Sequence, residues 1–116
     1  MLSFPGSLKI FLAIEAIDLR SSFNGLYGLV EGVLKEDPRS GALFAFTNQR
    51  HSRLKMLYWD GTGMWVMTKR LEKGTFSWPT GVAIENGKLS LSPEALGLLM
   101  DGVDLRGAAM RPWYQR

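Results

Sequence analysis

The stretch Arg53–Leu71, RLKMLYWDGTGMWVMTKRL, decides the fold. Two apolar and aromatic runs, Leu54–Trp59 and Met64–Leu71, flank Asp60-Gly61-Thr62-Gly63. Glycine reaches the positive φ of a tight turn without a Cβ clash, so the pattern predicts a β-hairpin. With Gly61-Thr62 as its turn, Trp59 lies opposite Met64. Leu54, Met56, Tyr58, Trp65, Met67 and Lys69 then share one face. Arg53, Lys55, Leu57, Trp59, Met64, Val66, Thr68 and Arg70 share the other. Arg53 falls opposite Arg70, a like-charge pair that is unfavourable unless an anion lies nearby. A loop one residue longer or shorter would exchange the faces.

Outward from the hairpin, the same kinds of signal recur. Ala42–Thr47 is an aromatic-rich strand entered through Ser40-Gly41. Val82–Glu85 and Lys88–Leu91 flank Asn86-Gly87, a second hairpin signal. Ser92-Pro93-Glu94 opens a helix with a capping hydroxyl, a proline at the first helical position and an acid in the first turn. Leu96, Leu99 and Met100 form its apolar stripe, and Gly102 closes it. Toward the N-terminus, Lys9–Ile14 reads as a buried strand. Leu19, Phe23, Leu26, Leu29 or Val30, Val33 and Leu34 then recur at helical spacing. Asp18 or Ser21 is its expected cap, and Asp37-Pro38 its expected end. Gly25, Gly28 and Gly32 lie on one side and suggest close packing against a sheet. The order predicts an α+β domain: an antiparallel sheet with a helix after the first strand and a C-terminal helix.

With 116 residues, 46% hydrophobic and 22% charged, the chain suits one globular domain. Residues 1–105 are expected to form it, with 106–116 as a basic C-terminal tail. Cysteine is absent, which excludes disulfides and thiolate chemistry and suits a reducing cytoplasm. No run is long enough for a membrane span, and Leu8–Ile14 lacks the flanks of a signal peptide. The net charge of +3 is unevenly spread. Arg50, Arg53, Lys55, Lys69, Arg70 and Lys73 stand against Asp60 and Glu72 in the middle of the chain, and residues 74–105 are acidic on balance.

Catalytic and metal signatures are missing. His51, the one histidine, sits in a polar loop with no nucleophile motif to serve. Neither Gly25-x-x-Gly28 nor Gly61-x-Gly63 has the make-up of a phosphate loop. Asp18, Asp60 and Asp101 or Asp104 suit a nuclease-type metal cluster by residue type, yet a helix cap, a turn and a helix end account for them better. No cofactor is expected. The central block has the make-up of a nucleic-acid surface: Arg50, Arg53, Lys55, Lys69, Arg70 and Lys73 for phosphates, and Trp59 for stacking on a base. The same residues also suit a half-buried hairpin with solvated cationic ends.

Several pieces lie in a fixed order along residues 5–105: Asp18-Leu19-Arg20 with Phe23-Asn24-Gly25-Leu26, Asp37-Pro38, Leu43-Phe44-Ala45-Phe46, Leu57-Tyr58-Trp59-Asp60, Lys69-Arg70-Leu71-Glu72, Trp78-Pro79 and Gly102-Val103-Asp104. With this set the chain resembles the TnpB-type accessory protein, the second-open-reading-frame product of transposons of the insertion sequence 66 family. It carries Asn24 where that family usually has aspartate. It is far too short for the RNA-guided nucleases that share the TnpB label, and it lacks their motifs. The resemblance implies a non-catalytic, cytoplasmic accessory protein of DNA transposition, partnered with a co-encoded transposase, transposon DNA or both. The alternative is a protein–protein module that bridges transposase subunits without touching DNA. Self-association is left open, as is whether Tyr58, Trp59 and Trp78 are core or surface.

Overall fold

The computed structural model describes residues 7–20, 22–79, 87–103 and 114–115. The elements run β1 (Ile10–Ala13), α1 (Phe23–Gly32), β2 (Leu43–Thr47), β3 (Arg53–Trp59), β4 (Met64–Arg70), β5 (Lys88–Leu91), α2 (Pro93–Met100) and β6 (Tyr114–Gln115). This is the expected α+β arrangement, on one sheet of order β4-β3-β2-β1-β5-β6. Neighbours are antiparallel except β1 and β2, which are parallel with α1 as their crossover. A parallel pair needs such a crossover, because a tight turn cannot return the chain in the same direction.

Alternation along each strand supplies two cores, one on each face of the sheet. Ile10, Leu12, Leu43, Ala45, Leu54, Met56, Leu89 and Leu91 pack with Leu96 and Leu99 of α2 and with Phe76 and Trp78. Ala13, Phe44, Phe46 and Leu57 pack with Leu26 and Val30 of α1 and with Leu34. The sheet is therefore a middle layer between helices, and both faces of the β3–β4 hairpin are partly covered. Trp78 is core, with its indole N–H donating to Ala13 O at 2.8 Å, whereas Tyr58 and Trp59 are half-buried.

α2 begins and ends as its residues require: Ser92 Oγ accepts from Ala95 N at 3.1 Å, and Gly102 follows at φ 80°. α1 departs from expectation in three ways. Its glycines do not face the sheet. A Cβ at Gly28 or Gly32 would meet nothing within 4 Å, and the packing is done by Leu26 and Val30. Its N-cap is Ser22, without a side-chain bond, because Asp18 instead accepts from Arg20 N at 3.0 Å (Ser21 lies outside the described residues). The helix also stops at Gly32, before Asp37-Pro38. Lys35 turns left-handed at φ 57°, and Leu34 N and Glu36 N close onto Leu29 O and Val30 O at 3.0 Å. Glycine's low helix propensity permits the early stop.

Val82–Glu85, the expected partner of Lys88–Leu91, lies outside the described residues; among those described, β5 pairs with β1 and β6. Of the tail, Tyr114–Gln115 runs antiparallel to β5, with Leu91 opposite Tyr114.

Candidate nucleic-acid interface

The hairpin has the register its turn residues imply, with Trp59 opposite Met64 and Arg53 opposite Arg70. β3 opens from a tightly bonded loop. Asn48 Oδ1 accepts from Ser52 N at 2.9 Å and Arg53 N at 3.1 Å. The hydroxyl of Thr47, fully buried, donates to Arg53 O at 2.8 Å. His51 occupies the left-handed region at φ 54°, and its carbonyl accepts from Phe76 N at 2.7 Å. That bond holds the loop before β3 against the chain that follows β4. Arg50, Arg53, Arg70 and Lys73 are all exposed; Arg53 faces Arg70 at this open end, Arg50 lines one groove with Arg53, and Lys73 follows β4 by three residues. Among the described residues none of the four has an ion-pair partner.

A groove of about 510 Å³ opens beside Arg53 between the 17–20 segment and the 48–53 loop. Arg20 stands on its other wall, bound to the Asp18 carboxylate with Nε 2.8 Å from Oδ2. Those side-chain bonds, with the Arg20 N–H, hold the Asp18 carboxyl down to about 2.

The remaining expected residues lie elsewhere. Lys55 is half-buried, and its ammonium donates to Leu19 O at 2.7 Å, tying the segment before α1 to β3. Lys69 is on the α2 face, with Nζ 3.6 Å from Asp101 Oδ1. Trp59 is at the turn, six residues along β3 from Arg53, or roughly 20 Å. The Arg39 guanidinium lies 5.1 Å from its ring centroid. The arginine already occupies one face of that ring.

Arg20, Arg39 and Trp65 are not among the site residues expected from the sequence. Asp18-x-Arg20 is a local pairing signal that points to the first; nothing in the sequence near Trp59 points to Arg39. Trp65 is 56% exposed, with its indole N–H donating to Asp60 Oδ2 at 2.7 Å. Asp60 Oδ1 also accepts from Thr62 N, Thr62 Oγ1 and Gly63 N at 2.8–2.9 Å. These donors, the Thr62 N–H foremost, hold its carboxyl well below the usual range.

Among the described residues no three His, Asp or Glu side chains group as a metal site; Asp104 lies outside them. Asp18, Asp60 and Asp101 are each engaged by near neighbours or by Lys69. A second, apolar crevice of about 280 Å³ beside α1 is lined by Ala13, Ile17, Val33 and Phe46 among others, with Glu15 the one titratable side chain among the described residues that line it. No described helix is long and apolar enough to cross a membrane.

Comparison with known proteins agrees with the ordered motifs. The chain is 40% identical over 105 residues to the uncharacterized protein y4jC of Sinorhizobium fredii, covering 90% of this chain and 87% of the relative. It is 37% identical over 106 residues to the uncharacterized protein y4hO of the same organism, covering 91% and 90%. No solved structure matches. Residues 8–110 match the family described as IS66 Orf2 like protein, and the chain belongs to that family.

Proposed function

We propose that this protein is a non-catalytic accessory factor of insertion-sequence transposition that holds the DNA backbone with the open end of its β3–β4 hairpin. Family membership supports the transposition-associated accessory role. The Arg53–Arg70 pair supports the DNA contact. The two arginines are register partners, exposed and without an ion-pair partner among the described residues. Like charges in that position destabilise a ladder, and a phosphate between them removes the cost. Arg50 and Lys73 extend the positive surface, and the groove toward Arg20 gives a strand somewhere to lie.

The site set is narrower than the sequence block. Arg50, Arg53, Arg70 and Lys73 hold phosphates, Lys55 is a structural tie, and Trp59 and Lys69 lie apart. Contacts of this kind carry no base code, so binding is expected to be sequence-tolerant. The test is DNA affinity against salt. Each lost phosphate contact lowers the log–log slope by about 0.9. Reversing Arg50, Arg53 and Arg70 to glutamate is therefore expected to flatten it by roughly two to three. An unchanged slope, or no binding by the wild type at low salt, sinks the reading.

A second reading, a bridge between transposase subunits, draws support from Trp65, Val33 and Phe23, which are 48–56% exposed. A pull-down with the co-encoded transposase, with and without transposon-end DNA, separates the two. Capture that needs no DNA favours the bridge.

A further inference from the structure

Among the described residues, β4 pairs with β3 on one side and with no strand on the other. Proteins usually keep such edges short, charged or bulged, because an open ladder recruits another strand. β4 is seven residues long, matches β3 without a bulge, and begins Met64-Trp65-Val66-Met67. Trp65 is more than half exposed, while Met64, Val66 and Met67 are half-buried.

The turn fixes which backbone groups face outward. Asp60 N–H donates to Gly63 O at 3.0 Å, so residues 60 and 63 are a hydrogen-bonded pair. Alternation along the ladder then bonds Trp65, Met67 and Lys69 to β3. Met64, Val66, Thr68 and Arg70 are left with their N–H and C=O groups pointing away from it.

We propose that two copies of this chain join antiparallel through β4, about a two-fold axis at Met67, into one continuous sheet. In this register Met64 faces Arg70 of the second copy and Val66 faces Thr68. All four outward residues of each strand are then paired, with about eight backbone hydrogen bonds. A shift of two residues strands one end. A shift of one sets outward groups against inward ones.

The side chains favour the same arrangement. Trp65 falls opposite Lys69 of the second copy, twice. The ammonium gains the indole face and comes near the Asp60 carboxylate that the same indole N–H holds at 2.7 Å. Parallel pairing would instead set Lys69 and Arg70 beside their own copies, where like charges repel. The proposal does not depend on DNA contact.

Because the chain has no cysteine, one introduced thiol reports one position. At the axis, the two copies of residue 67 form a non-hydrogen-bonded pair with Cα atoms about 4.5 Å apart, within disulfide reach. Met67→Cys is therefore expected to cross-link to itself under copper phenanthroline and air. Trp65→Cys, about 13 Å from its own copy in this register, is not. Equal yields from the two variants, or none from Met67→Cys, overturn the proposal.

Sedimentation gives a second readout. The Thr68 N–H points away from β3, so Thr68→Pro spares the hairpin and blocks the junction. It is expected to weaken self-association at least tenfold, with the circular dichroism spectrum retained. A wild type that stays monomeric at high micromolar concentration, or a folded Thr68→Pro variant that associates as well as wild type, also overturns it.

Discussion

At the turn of the β3–β4 hairpin, Asp60 accepts bonds from Thr62, Gly63 and Trp65, and Arg39 lies on the Trp59 ring. At the open end of the same two strands, Arg53 faces Arg70 with no carboxylate paired to either among the described residues. The turn end satisfies its polar groups from within a few residues. The open end leaves two like charges without an ion-pair partner among the described residues. A region whose charges are matched locally is built for its own geometry. On the reading proposed above, the like charges that the register sets opposite each other are kept for a phosphate.

The comparison can be broken from the middle. Leu57 is fully buried between the two ends, under α1. Leu57→Ala is expected to cost about 2–5 kcal/mol in urea unfolding and to weaken both ends together. A loss confined to one end would mean the hairpin is not a single unit.

Arg53→Glu sharpens the contrast more selectively. An opposite-charge pair with Arg70 replaces a like-charge one, so stability is expected to rise by about 0.2–1 kcal/mol while DNA affinity falls. Opposite signs from thermal melts and binding on one protein are the signature of charge kept for function. A fall in both would remove that argument.

Acid should act at both ends, through Asp60 at the turn and through Asp18 in the groove beside the open end. Asp60 and Asp18 both titrate below their ordinary value when folded. Their stabilising contribution is therefore complete above the unfolded value of about 3.9. It is lost as the pH falls through the folded values. The Trp65 indole N–H resonance is expected to shift in that acid range in the wild type and to stay flat in Asp60→Asn.

A stability effect about as small as that of Arg53→Glu belongs to Arg39→Ala. Loss of its stacking on Trp59 is expected to cost about 0.5–1 kcal/mol, read from the melting temperature, and to leave DNA affinity unchanged.

What the sequence disclosed follows from how local each determinant is. The hairpin register was legible because Asp60-Gly61-Thr62-Gly63 specifies its own turn and the flanking runs alternate. α2 was legible because Ser92 and Pro93 act within one turn of the helix. The glycines of α1 misled, since a missing side chain serves a solvent face as easily as a close approach. The parallel β1–β2 pair was not drawn, because its partners are set by burial across the sheet. Of the site, the Arg53–Arg70 opposition followed from register alone. The fate of Lys55 did not, because Leu19 O is brought to it by tertiary structure, and neither did that of Trp59, covered by Arg39.

The position of β1 has a consequence for the order in which the protein assembles. Ile10 pairs with Leu43 on one side and with Leu91 on the other. During synthesis β2, β3 and β4 can zip together from near neighbours, while β1, made first, waits for Lys88–Leu91 before its second ladder closes. Pairings so distant along the chain are slow to form and leave sheet edges open meanwhile. Until Lys88–Leu91 has emerged from the ribosome, the strand at the centre of the finished sheet is an edge.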